Sequence, residues 1–279
     1  MDRLSFQLGR GEILGLLGPN GAGKTTTIQM LLSVLKPTSG RIEYFGRSLA
    51  EAREAILERI GFASAYSKLP IHLTIEENLD VFGRLYGMPA RERRERSRQL
   101  LDRFGVWDLR KRQMAGLSAG QTTRVMLAKA FLARPRIVLL DEPTASLDPD
   151  IAHEVREFVC ERRDAEDLSI LYTSHNMDEV AQICDRVLFL DRGRIASIGR
   201  PEELAASAAA TRLHLQVEAG LEDLLRIAAS RGLVSARPGI RRRSRSTSAR
   251  SPACSRSWPP PACATPTSRW ISRRSRTIS

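Results

Sequence analysis

The chain has 279 residues, 42% of them hydrophobic and 5% aromatic, enough for a buried core in one sizeable domain or two small ones. Its longest apolar runs, 13–17 and 137–140, are strand-length and far short of the ~18–20 residues a membrane helix needs. The Met1-Asp2-Arg3 start shows no signal-peptide pattern, and four dispersed cysteines (Cys160, Cys184, Cys254, Cys263) offer neither a zinc site nor a disulfide framework. The net charge of +12 is local: residues 236–279 hold eleven Arg, no Lys and no acid, and removing them leaves 33 basic against 32 acidic residues.

In chain order, residues 12–17 read as a strand running into Gly18-Pro19-Asn20-Gly21-Ala22-Gly23-Lys24-Thr25, with a helix expected over 26–35. That octet matches G-x-x-x-x-G-K-[ST] between a strand and a helix, the context of a P-loop. Glycines let backbone N–H groups close around phosphate oxygens at a helix N-terminus. Lys24 would reach the β- and γ-phosphates, the Thr25 hydroxyl would ligate Mg2+, and Thr26 completes the nucleotide-binding run.

Residues 41–45 and 59–63 read as further strands. Thr74-Ile75-Glu76-Glu77 has capping-box spacing and opens a helix to about 86, and a densely charged helix over 91–104 suits a solvated, peripheral position. Ser118 and Gln121 repeat the capping-box spacing, so a helix should run from there to about 132. Strands follow at 136–140, 169–173 and 187–190, separated by helices at 149–162 and 177–183. Such alternation implies an α/β fold, a mainly parallel sheet flanked by helices. A small extension has a strand-like stretch at 213–217 and a helix-like one at 221–229.

The strand at 136–140 ends in Asp141-Glu142. Alone, an apolar run followed by two carboxylates is common and mostly structural. After a P-loop it reads as the other half of a nucleotide site: Asp141 to hold Mg2+, Glu142 to orient or deprotonate the attacking water.

Leu117-Ser118-Ala119-Gly120-Gln121 resembles the LSGGQ signature of the ABC ATPase family, with Ala119 at the first glycine. Ala145-Ser146-Leu147-Asp148 resembles that family's D-loop, and Ser174-His175 its switch histidine. The order is right, with Ser118 lying 23 residues before Asp141 and His175 lying 33 after Glu142. The resemblance spans about 4–204. It implies a P-loop NTPase domain over 1–204 with an antiparallel β edge and a helical signature subdomain at about 75–133, then an extension (205–235) and a tail (236–279).

The resemblance further implies a head-to-tail pair of ATPase subunits, identical or different, with two ATP molecules and Mg2+ between them. Ser118, Ala119, Gly120 and Gln121 would contact the γ-phosphate held by the other subunit's Lys24 turn. The helix N-terminus there carries free N–H groups and partial positive charge. His175 would sense that phosphate. Asp148, followed by Pro149, also looks like an N-cap with proline at N1. The pairing of Leu117–Arg124 (LSAGQTTR) with Thr173–Glu179 (TSHNMDE) resembles the exporter ATPases encoded apart from their permease, as in drug-resistance and polysaccharide export. That implies a cytoplasmic protein, peripheral on the inner face of the membrane, partnered by separate transmembrane subunits.

Two positions depart from the family pattern. Its usual glutamine after the strand at 60–62 falls on Ala65, which can neither donate nor accept; Ser64, Tyr66 and Ser67 are the neighbours that could replace it. The family's adenine-stacking aromatic belongs about one strand upstream of Leu4, ahead of Met1. Phe6 reads instead as a core residue of its strand, and the expectation is an ATP grip short of ~1–3 kcal/mol of stacking.

The tail admits three readings: an arm for nucleic acid or anionic membrane, a solvated disordered extension, or translation out of frame. The abrupt composition change after Val234 favours the last, and an uninterrupted reading frame in the genome would overturn it. Nucleic-acid-associated relatives carry tandem ATPase domains or coiled-coil insertions, whereas one P-loop here precedes the signature by about 94 residues with no heptad run, so no nucleic-acid partner is expected. A non-catalytic or degraded ATPase is the remaining alternative. Intact Lys24, Asp141, Glu142 and His175 argue against it.

Overall fold

The chain divides into two units, Met1–Leu213 and His214–Ser279. The computed structural model describes residues 1–207 and Arg226, so the architecture given is that of the first unit. The expected strand at 213–217, the helix at 221–229 and the 236–279 tail lie outside the described residues.

Strands and helices alternate as β1 (Ile13–Leu17), α1 (Lys24–Leu31), the short strands β2 (Glu43–Tyr44) and β3 (Arg47–Ser48), α2 (Arg53–Leu57), β4 (Ile60–Ser64), α3 (Ile75–Leu85) and α4 (Ala90–Arg103). Then come α5 (Ala119–Ala130), β5 (Ile137–Asp141), α6 (Pro149–Glu166), β6 (Ser169–Ser174), α7 (Met177–Ile183), β7 (Arg186–Asp191), β8 (Arg194–Gly199) and α8 (Pro201–Ser207). The main sheet has the order β4-β5-β6-β1-β7-β8, parallel except for the antiparallel β7–β8 pair. A P-loop NTPase fold is thus present, with its antiparallel edge.

β1, β5 and β6 are buried along their whole length, which is why they read as continuous apolar runs: a parallel strand covered on both faces has no polar side to show. Alternate residues still serve different layers. Ile13, Leu17, Val138, Leu140, Ile170 and Tyr172 pack with Leu79, Leu127, Val155 and Phe158 from α3, α5 and α6. Leu14, Leu16, Ile137, Leu139 and Leu171 pack with Ile28 of α1 and Ile56 of α2. Each such side chain removed from water stabilises the fold by about 1.5–3 kcal/mol. Phe158 meets Phe104 and Phe131 edge-on, at centroid distances of 4.8 and 4.9 Å, and ties α6 to the ends of α4 and α5.

Both capping boxes form. Thr74 and Glu77 close the start of α3, and Ser118 and Gln121 the start of α5, each by reciprocal side-chain-to-backbone bonds. Four expectations need correction. α1 stops at Leu31 rather than Leu35, because Ser33 turns left-handed (φ 56°) and the N–H groups of Val34 and Leu35 both fall back on the Gln29 carbonyl. Phe6 lies outside any strand, half-buried between Leu4 and Leu8 against the second core layer. α4 is not solvated all round: Arg96, Ser97, Leu100 and Leu101 form a buried stripe. The strand at 41–45 shrinks to Glu43–Tyr44, paired with a β3 that the sequence did not announce.

Candidate functional site

Register brings the site together. Leu17 lies opposite Ser174, Asp141 opposite Thr173, and Ser64 opposite Asp141, so β1, β6, β5 and β4 end level at one sheet edge. The residues just beyond those ends are the ones the motifs single out. In open α/β sheets this carboxyl edge is where ligands bind.

The Gly18–Gly23 turn leaves β1 and enters α1 with Gly23 in a left-handed conformation (φ 110°). Glycine is required at 18 because a Cβ there would collide with the Leu190 carbonyl oxygen. From behind, the Gly193 N–H donates to the Ala22 carbonyl at 2.9 Å, and the Ala22 N–H donates to Pro19 at 3.1 Å. Asn20 and Gly21 are exposed, Ala22 is buried, and Thr26 is half-buried, its side chain without a bond among the described residues. Lys24 is buried, and its ammonium donates to the carbonyls of Gly18 (2.8 Å) and Pro19 (3.4 Å) while facing Glu142 Oε1 at 3.3 Å.

Asp141 is fully buried and accepts three bonds: from the hydroxyls of Thr25 and Ser64 on Oδ2, both at 3.2 Å, and from Thr173 on Oδ1 at 2.8 Å. Glu142 adopts φ 50°, unusual for a residue with a Cβ, and its N–H donates to the Thr173 hydroxyl and carbonyl. Backbone in this region persists only where its surroundings enforce it, commonly at functional sites. The Glu142 carboxylate is 6% exposed and meets Lys24, His175 Nδ1 at 2.9 Å and the Tyr66 hydroxyl at 3.4 Å. The charge of Glu142, followed by partial burial, pushes the Tyr66 phenol above its ordinary pKa.

A second polar cluster backs His175. Glu179 on α7 accepts from Tyr172 (2.6 Å), from Ser174 (2.7 Å) and from Thr144, and faces Arg156 of α6 at 3.7 Å. Burial, and then the charge of Glu179, raise the Tyr172 phenol far above its usual range. These groups border a cleft of about 320 Å³ lined by Glu142, His175, Ser174, Arg156 and Glu179.

Lys24, Thr25, Asp141, Glu142 and His175 therefore converge. The 118–121 segment does not. Ser118 and Ala119 are exposed, the capping box uses the Ser118 hydroxyl and the Gln121 amide oxygen, and among the described residues no hydrogen bond or ion pair joins 118–121 to the Lys24 cluster. Gly120 instead lies against the Ser146 carbonyl, just before Asp148. Asp148 is the N-cap of α6 with Pro149 at N1, but its carboxylate makes no capping bond. Thr173 and Glu179 stand in the sequence only as the ends of a stretch that resembles exporter ATPases, not as site residues; their places depend on strand order and on α7 folding back over β6.

The donors around Thr25 and Asp141 are a hydroxyl and a carboxylate oxygen on neighbouring elements, the hard-oxygen set that suits Mg2+.

A parallel sheet carrying a glycine turn at its carboxyl edge defines the class, a P-loop NTPase domain. The family described as ABC transporter matches residues 1–145. The daunorubicin/doxorubicin resistance ATP-binding protein DrrA of Streptomyces peucetius is 35% identical over 240 residues, 86% of this chain and 71% of that protein. The Nod factor export ATP-binding protein I of Ralstonia nicotianae is 36% identical over 204 residues, 73% of this chain and 63% of that protein. A solved ATP-binding subunit of an ABC transporter superposes with TM-score 0.68 at 29% identity, covering 80% of this chain and 90% of that one. The chain belongs to the ABC transporter family, as an ATP-binding subunit with ATPase activity.

Proposed function

We propose that this subunit powers export through a separate membrane permease, by closing on a second ATPase subunit with ATP sandwiched between them. The observation that carries the reading is the split in the site. Lys24, Asp141, Glu142 and His175 are assembled within one chain, while Ser118 stands exposed on a capped helix with no bond to them among the described residues. A γ-phosphate gripped by one subunit is then completed by the α5 N-terminus of the other.

In this mechanism the glycine turn and Lys24 grip the β- and γ-phosphates. A triphosphate entering the turn competes with Glu142 for the Lys24 ammonium, so nucleotide binding itself frees the carboxylate to take a proton from the attacking water. Thr25 and Asp141 would hold Mg2+, which neutralises phosphate charge when bound. His175, hydrogen-bonded to Glu142, would contact the same phosphate and register its loss. Asp148, with its carboxylate free of capping duty, faces the partner subunit. Closure follows from the differential affinity of open and closed forms for ATP. Export is supported by relatives named for drug resistance and Nod factor export. No described helix is long and apolar enough to cross a membrane, consistent with a peripheral subunit on the cytoplasmic face.

The test is cysteine crosslinking. In a variant with the four native cysteines replaced, Asn20→Cys and Ala119→Cys are combined with Glu142→Gln to hold ATP unhydrolysed. Disulfide-linked pairs of chains should form with ATP and not without it; their absence in every nucleotide condition refutes the sandwich.

A further inference from the structure

We propose that the Tyr66 hydroxyl is a positioning group for Glu142, a donor where its neighbour Ala65 has no side chain to offer one. The inference rests on the reading of Glu142 as the base.

Among the described residues the Glu142 carboxylate has three side-chain neighbours. Two of them, Lys24 and His175, are drawn to the γ-phosphate when the triphosphate binds. That leaves Tyr66, which donates to Oε2 at 3.4 Å and has no competing phosphate duty. A carboxylate that must aim one oxygen at water gains from a donor that pins the other.

The placement of Tyr66 is unusual for a surface residue. It is 69% exposed, yet its hydroxyl turns inward to a carboxylate 6% exposed. The backbone explains how. Ser64 donates through its hydroxyl to Asp141, the Ala65 N–H donates to the Asp141 carbonyl at 3.2 Å, and the Tyr66 N–H donates to the Ser64 hydroxyl at 3.2 Å. The segment is thus fastened to the end of β5, the strand that presents Glu142. Of the three neighbours able to stand in for the absent glutamine, Ser64 serves Asp141, Tyr66 serves Glu142, and the Ser67 side chain makes no bond among the described residues. A phenol of ordinary pKa, about 10, is protonated and hence a donor at neutral pH, and the Glu142 charge pushes Tyr66 further the same way.

Steady-state ATP turnover of the full chain decides it, comparing wild type, Tyr66→Phe, Glu142→Gln and the double variant Tyr66→Phe/Ala65→Gln. Tyr66→Phe should lower kcat about tenfold with KM for ATP within about twofold, and with an unchanged Tm. Adding Ala65→Gln should recover most of the lost kcat, which a merely structural hydroxyl would not allow. If Glu142→Gln is inactive while Tyr66→Phe keeps wild-type kcat, or changes KM alone, the role of Tyr66 is refuted and that of Glu142 stands. If Glu142→Gln turns over like wild type, the base assignment falls and this inference with it.

Discussion

Nδ1 of His175 lies 2.9 Å from Oε2 of Glu142, joining a ring 59% exposed to a carboxylate 6% exposed. The two residues are 33 apart and meet because β5 and β6 are neighbours in register. With a carboxylate as acceptor, the proton sits on Nδ1, and Nε2 has no bond among the described residues. His175→Ala should therefore lower kcat by about 10²-fold, while ATP affinity changes by no more than about threefold. Turnover and equilibrium nucleotide binding measured together check this, and a pure loss of affinity contradicts it.

The Lys24–Glu142 pair is buried on both sides. Removing one partner of such a pair strands the other's charge, a loss of about 3 kcal/mol. Lys24→Met should destabilise the chain by about that amount in urea unfolding. Glu142→Gln added to it should restore the stability but not the binding of a fluorescent ATP analogue. Independent losses from the two substitutions would show that they do not act as a pair.

Lys129 on α5 is buried with its ammonium over the rings of Phe62 (5.5 Å) and Phe82 (5.4 Å). Burial lowers its pKa from 10.5 to about 8. Below pH 8 the amine is charged in both folded and unfolded chains and the desolvation cost is fully felt. Between pH 8 and 10.5 the unfolded chain holds more protons, so this group's contribution to stability rises with pH. Lys129→Met should thus be more stable than wild type at pH 7, by on the order of 3 kcal/mol less whatever the two cation–π contacts supply. The gap should narrow as pH climbs through 8 to 10.5. Paired melting curves across that range test it; a constant gap would mean the amine does not titrate there.

Glu179 holds three hydroxyls and faces Arg156. Glu179→Ala leaves Ser174 without its acceptor, Tyr172 with only the longer Thr144 contact and Arg156 without its counter-charge, so a loss of about 3 kcal/mol is expected in urea unfolding. Glu179→Gln, which keeps an acceptor oxygen, should lose clearly less. Equal losses would mean that shape rather than hydrogen bonding sets the role of this side chain.

Local chemistry was legible in the sequence wherever a few consecutive residues decide it. Thr74–Glu77 and Ser118–Gln121 announced their helices, and the apolar runs of β1 and β5 announced strands buried on both faces. β8 was missed because its pattern alternates with little hydrophobic contrast at the sheet edge. Its turn hid as well. Arg192 and Gly193 both take positive φ (44° and 77°), the geometry of a two-residue hairpin in which Asn-Gly is the readable signal and Arg-Gly is not. Within the site, the P-loop stood out by its spacing, and the Asp141-Glu142 pair only because that P-loop precedes it. Thr173, Glu179 and the inward turn of Tyr66 did not, since each depends on which strands become neighbours, and the order β4-β5-β6-β1 is a long-range property.

The phosphate turn leans on that unannounced hairpin. The Leu190 carbonyl crowds Gly18, and Gly193 reaches the Ala22 carbonyl. On the proposed reading, the grip on nucleotide has its foundation about 170 residues downstream of the glycines that make it. Genetic damage to the Asp191–Arg194 bend would masquerade as a P-loop defect, and a screen for nucleotide-binding residues would return positions outside every recognised motif.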